Sequence, residues 1–94
     1  MMAIKTKPWD SAEFLKTPGD IAAYLDTWLE DGTPEEIRRA LGTVARSHGM
    51  TTLARETGLT REALYKALGD NGNPTLDTLL KVVKALGVRL SIAA

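Results

Sequence analysis

Between Thr60 and Lys66 the chain reads TREALYK, and Arg61, Glu62, Tyr65 and Lys66 fall on the first turns of one short helix. Their chemistry is recognition by hydrogen bonds rather than bond making. Arginine and lysine donate to guanine edges or phosphates, glutamate accepts from cytosine, and tyrosine packs on a thymine methyl or reaches a phosphate. Thr51 and Thr52 before this stretch, and Asn71 and Asn73 after it, are short polar residues suited to holding a sugar–phosphate backbone. Residues for catalysis are not assembled. The chain has no cysteine and one histidine, which excludes disulfides, Cys-ligated metals and a two-histidine zinc site. Glu35 and Glu36 resemble an acid/base pair, but adjacent helix positions face apart, and beside the positive end of a helix dipole they are structural acids. Ser47-His48 has no acid or oxyanion partner evident in the sequence, and His48 reads as a helix C-terminal residue. Gly69-Asp70-Asn71-Gly72 follows a helix rather than a strand, so it is not a phosphate loop. No catalytic residue, cofactor or metal is expected.

The elements that must position TREALYK lie within Met50 to Gly69, MTTLARETGLTREALYKALG. This spacing predicts a helix, a tight turn and a second helix. Two helices crossing steeply need a small side chain at the crossing, which Ala54 supplies, and a turn residue free to adopt positive φ, which Gly58 supplies. Leu53, Leu59, Leu64 and Ala67 or Leu68 then face inward. Thr60 caps the second helix, placing Thr60 to Lys66 as its leading, outward-facing turns. A helical hairpin of this kind also serves purely structural ends in many proteins, and that reading stays open beside the DNA-reading one.

The remaining helices follow from caps and periodicity. Thr17-Pro18 starts a helix to about Glu30, in which Ile21, Leu25, Trp28 and Leu29 form one apolar stripe. Thr33-Pro34-Glu35-Glu36 is a capping box that starts a helix to about His48, with Ile37, Leu41, Val44 and Ala45 inward and Arg38, Arg39 and Arg46 outward. Thr75 starts a last helix carrying Leu76, Leu79, Leu80, Val83 and Leu86, ended by Gly87. From Val88 to Ala93 the apolar period changes to two, with Val88, Leu90 and Ile92 on one side, a strand signal. Its pairing is open between a second copy, the N-terminal lead, a partner chain and a simple packed tail. At the other end, Trp9, Phe14 and Leu15 are either a lid on the core or a contact surface.

Composition sets the frame. Ninety-four residues suit one domain with a modest core, and ordinary apolar content argues against wholesale disorder. No apolar run approaches the roughly 18 residues of a membrane span, and the start lacks a signal-like apolar region, so a cytoplasmic protein is expected. Net charge is zero but divided. Residues 1–37 hold three lysines and eight acids, a net of −5, while residues 38–94 hold nine bases and four acids, a net of +5. The basic half suits a nucleic acid and the acidic half a basic protein, unless the faces differ by chance.

Taken together, TTLARETGLTREALYKAL, NPTLDTLLKVVKALGVRLSI and the preceding TKPWDSAEFLKTPGDIAAYLDTWLEDGTPEEIRRALGTVARSHGM resemble the Cro/Xre-type helix-turn-helix superfamily and, within it, the HigA-like addiction-module antidotes of type II toxin–antitoxin pairs. The resemblance runs from about Ile4 to Ile92. It implies an all-α, five-helix helix-turn-helix fold with a short C-terminal β-strand, in one domain spanning 1–94. Residues 1–32 would be an N-terminal extension and helix that contacts toxin. Residues 33–87 would be the DNA-binding core with its motif at 50–69, and 88–93 a dimerisation strand. It further implies a protein that neutralises a basic RelE/ParE-like toxin and represses its own operon on double-stranded operator DNA; the homodimer is expected from self-pairing of the 88–93 strand, the favoured one of its pairings. Thr51, Thr52, Thr60, Arg61, Glu62, Tyr65, Lys66, Asn71 and Asn73 would meet DNA; Trp9, Phe14, Tyr24, Trp28, Asp26, Glu30 and Asp31 are candidates for the toxin face. One departure stands out: the superfamily often has Gln near the start of the first motif helix, where this chain has Thr51 and Thr52. A stand-alone repressor without a toxin, and a purely protein-binding helical module, are the alternative readings.

Overall fold

Threonine opens four of the five helices among the described residues. Thr17, Thr33, Thr60 and Thr75 each accept, through the side-chain hydroxyl, the backbone N–H three residues on, satisfying one of the donors left free at a helix start. In the computed structural model, which describes residues 15–93, the helices are α1 (Pro18–Asp31), α2 (Pro34–His48), α3 (Met50–Thr57), α4 (Arg61–Leu68) and α5 (Leu76–Ala85). The capping box forms as expected: Glu36 accepts the Thr33 N–H at 2.9 Å while Thr33 accepts the Glu36 N–H at 3.2 Å. Gly49 serves both as the end of α2 and the start of α3, with φ of 106°, so α3 begins at Met50 without a side-chain cap.

One core joins all five helices. Ile21 and Leu25 of α1, Leu41, Val44 and Ala45 of α2, Leu53 of α3, Leu64 and Leu68 of α4, and Val82, Val83 and Leu86 around α5 are buried together, with Leu15 among them. α1 packs along α2, α3 against α5, and α4 touches both α2 and α3, which also touch each other.

Several expectations are corrected. Leu29 is 48% exposed, because each residue advances about 100° around a helix and Leu29 lies at the edge of the stripe centred on Ile21, Leu25 and Trp28. The same geometry turns Leu76 and Leu80 out of α5, at 69% and 46% exposure, and turns Val82 fully inward. Arg38 is buried rather than outward, and its partners are described below. Residues 88–93 form no strand, and there is no strand among the described residues for them to pair with. The regular structure of the described residues is therefore all helical, without the expected C-terminal β-strand. Trp9 and Phe14 lie outside the described residues.

Candidate nucleic-acid interface

The turn between α3 and α4 is held by backbone and side chain together. Gly58 is left-handed, at φ of 78°, and its N–H donates to Ala54 O at 2.9 Å, closing α3. Thr57 Oγ1 donates to Leu53 O at 2.8 Å and accepts the Leu59 N–H at 3.2 Å, which ties the chain across the bend. Thr60 Oγ1 accepts from Ala63 N–H at 3.0 Å and starts α4. Ala54 and Leu59 pack against the buried core, as their spacing implied.

This scaffold fixes which side of α4 meets solvent. Leu64 and Leu68 are buried, so Arg61, Glu62, Tyr65 and Lys66 are left exposed. Arg61 and Tyr65, one turn apart, make a joint surface: the guanidinium lies 5.6 Å from the ring centroid and Nη2 reaches the Tyr65 hydroxyl at 3.4 Å. Two cations, one carboxylate and one phenol thus share the outer turns. The flanking polar residues lie at both ends of this unit. Thr51 is exposed and Thr52 half-buried on the uncapped start of α3; Asn71, left-handed at φ of 62°, and Asn73 are exposed in the loop after α4.

Two contacts escaped the reading of the sequence. Arg38 donates from Nη1 to Leu68 O at 3.2 Å and to Gly69 O, crossing from α2 to the end of α4. A signal for this existed, since Arg38, Leu41 and Ala45 follow helical spacing and place a base on the apolar stripe. The second is His48, whose Nε2 lies 2.8 Å from Glu56 Oε1, linking the end of α2 to α3. Glu56 is the acid that no local pattern assigned to His48, because it arrives eight residues later across the Gly49 corner.

The expected partner-binding residues divide. Asp26, Glu30 and Asp31 are exposed on α1, which carries Asp20 as a fourth acid and no lysine or arginine. Tyr24 and Trp28 are half-buried and pack against the core. Beside them, Ala22, Leu25, Asp26 and Leu29 of α1 face Val83, Val88 and Leu90 across a groove of about 390 Å³.

An all-helical domain with a polar-faced helix held after a glycine turn is the class that fold and surface define. The family described as "Probable addiction module antidote protein" matches residues 5–94. The chain belongs to that family, whose description implies a toxin as partner. A protein of Haemophilus influenzae (strain KW20 / Rd), described only as an uncharacterized protein, is 42% identical over 91 residues, covering 97% of this chain and 94% of its own. No solved structure matches. No helix among the described residues is long and apolar enough to cross a membrane.

Proposed function

We propose that this chain is the antitoxin of a type II toxin–antitoxin module, binding operator DNA through α4 to repress its own operon and neutralising a basic RelE/ParE-like toxin through its acidic N-terminal part. The observation that carries the DNA arm is the outer face of α4, where Arg61, Tyr65 and Lys66 project while Leu64 and Leu68 anchor the helix. In this reading α4 enters the major groove, Arg61 and Lys66 donate to guanine edges or phosphates, and Glu62 accepts from cytosine. Thr51, Thr52, Thr60, Asn71 and Asn73 hold the phosphates on either side. The free N–H groups at the uncapped start of α3 favour an anion there.

The toxin arm is supported by the family's description and by α1, with four acids and no base. Asp26, Glu30 and Asp31 are its exposed charges. Tyr24 and Trp28 contribute through their exposed edges, since their inner faces are taken by the core. Trp9 and Phe14 belong to the same segment by sequence. A homodimer completes the reading, because two reading helices about 34 Å apart match one turn of duplex and a palindromic site.

Gel shifts on the DNA upstream of the gene test the first arm. Arg61→Ala and Lys66→Ala are each expected to weaken binding by about 1–3 kcal/mol if they contact bases, with the fold intact. Unchanged shifts for both variants would remove α4 from the groove. The stand-alone repressor reading predicts that binding survives while no toxin is neutralised; co-expression with the product of the adjacent gene separates the two.

A further inference from the structure

Helix α4, like α1 at Gly32, ends on an extended glycine. Gly69, which follows it, is extended at φ of −88° and ψ of −174°, so the left-handed turn that closes α3 at Gly58 is not used here. The last carbonyls of a helix need donors from elsewhere. For the last of them the donor comes from α2: the buried Arg38 guanidinium donates to Leu68 O and also to Gly69 O just beyond the helix. One turn further along α2, Gly42 leaves room for the same carbonyl, since a Cβ there would stand 3.0 Å from Leu68 O. The positive charge also lies at the negative end of the α4 dipole.

The loop is tied to the same point. Gly72 N–H donates to Gly69 O at 2.9 Å, so Gly69 O receives both Arg38 and the segment that carries Asn71 and Asn73. A Cβ on Gly72 would fall 2.3 Å from Ala67 O, which shows how closely this loop backbone lies on the end of α4. Leu64 and Leu68 hold the inner face of α4 through contacts that have no direction. A planar guanidinium shared by two successive carbonyls is directional, and it resists both roll and sliding of the helix.

We propose that Arg38 is a positioning residue for sequence discrimination: it sets the roll of α4 and the place of the Asn71–Asn73 loop, and so decides which base edges meet Arg61, Glu62 and Lys66, without touching DNA itself. The inference rests on the reading of α4 as the DNA-contacting helix. Its consequence is specific. Losing Arg38 leaves the exposed cations in place, so sequence-independent attraction to phosphates persists while base selection is degraded.

The experiment uses the full chain, with duplexes that the wild type selects from a randomised pool and a scrambled duplex as control. Wild type, Arg38→Met and Arg38→Lys are compared by the ratio of the two affinities over a range of salt. That ratio is independent of the folded fraction, so a less stable variant remains informative. Arg38→Met is expected to lose discrimination on the order of tenfold, the scale of one good base contact, while scrambled-duplex affinity per folded molecule and the salt slope stay at wild-type values. Arg38→Lys, which keeps the charge but not the planar fork, is expected to fall between, and it serves alone if the methionine variant does not fold. Wild-type discrimination in either variant would reduce Arg38 to a stability role and overturn the proposal. A shallower salt slope would overturn it too, by making Arg38 a phosphate contact. Failure of the wild type to select any duplex is a separate result, which removes the DNA reading itself and this inference with it.

Discussion

Two glycines illustrate how single residues serve this site for different physical reasons. At Gly58 a Cβ would meet nothing within 4 Å, so space is not at issue; the constraint is φ of 78°. Gly58→Ala is therefore expected to cost about 1–2 kcal/mol, the left-handed penalty of an ordinary residue, and Gly58→Asn less. At Gly42 no positive φ is required; there the constraint is the Leu68 carbonyl, 3.0 Å from where a Cβ would stand. Gly42→Ala should push α4 away from α2, so it is expected to shift amide resonances of residues 64–73, whereas Gly58→Ala should not. Urea denaturation, with the slope checked for constancy, measures the first effect, and two-dimensional NMR the second. Thr60→Ala, which removes the cap of α4, is expected to lower stability by about 1 kcal/mol in the same denaturation series. Equal stability of Thr60→Ala and wild type would mean that water replaces the hydroxyl at no cost.

The helices were legible because their ends are written in local chemistry. Threonine three residues before a free N–H, proline at the first position of α1 and α2, and glycine after α2 and α3 mark boundaries without reference to the rest of the fold. What local pattern left hidden is long-range. Arg38 belongs with the carbonyls of Leu68 and Gly69, some thirty residues on, and periodicity alone gives no partner for a base on an apolar stripe. Leu29, Leu76 and Leu80 have helical spacing yet lie at stripe edges, and only the packing of α1, α2, α3 and α5 decides where each stripe stops. Within the candidate site the side of α4 that faces out was legible, since Leu64 and Leu68 fix the inner face. The stacking of Arg61 on Tyr65 was not, because it depends on rotamers that spacing leaves free. At this scale the acidic helix α1 yields its own prediction. Removing α1 would also remove Ile21 and Leu25 from the core, so deletion confounds folding with binding. Charge reversal of Asp26, Glu30 and Asp31 to Lys avoids that, as all three are exposed. The triple variant is expected to keep its helical circular dichroism and the proposed operator binding while failing to rescue cells that make the proposed toxin. Full rescue would move the toxin contact off this face.

Across the whole molecule, charge and exposed apolar surface are distributed in ways that one copy does not resolve. The acidic residues 1–37 and basic residues 38–94 cancel to zero, which removes the self-repulsion that keeps many small domains apart. Leu29, Leu76, Leu80 and Leu90 are each about half exposed or more, and Ile92 is fully exposed at 101%. Leu29 and Leu90 border the groove between α1 and the C-terminal segment, and Val83 on α5 lines it with them. Isolated exposed aliphatics are ordinary, whereas Leu29 and Leu90 stand together at the rims of one groove. If the homodimer proposed above forms, this groove and the exposed side chains of the 88–92 segment are the contact to test, with no strand required. Leu90→Lys with Ile92→Lys is expected to leave thermal unfolding of dilute protein nearly unchanged, since neither side chain is buried in the single chain. The same double variant should shift the sedimentation profile at tens of micromolar from dimer to monomer. It should also weaken binding to a palindromic duplex far more than to a single half-site, because only the former gains from linking two reading helices. A wild-type chain that sediments as a monomer at that concentration, or a double variant with undiminished preference for the palindrome, would rule out this face as the dimer contact.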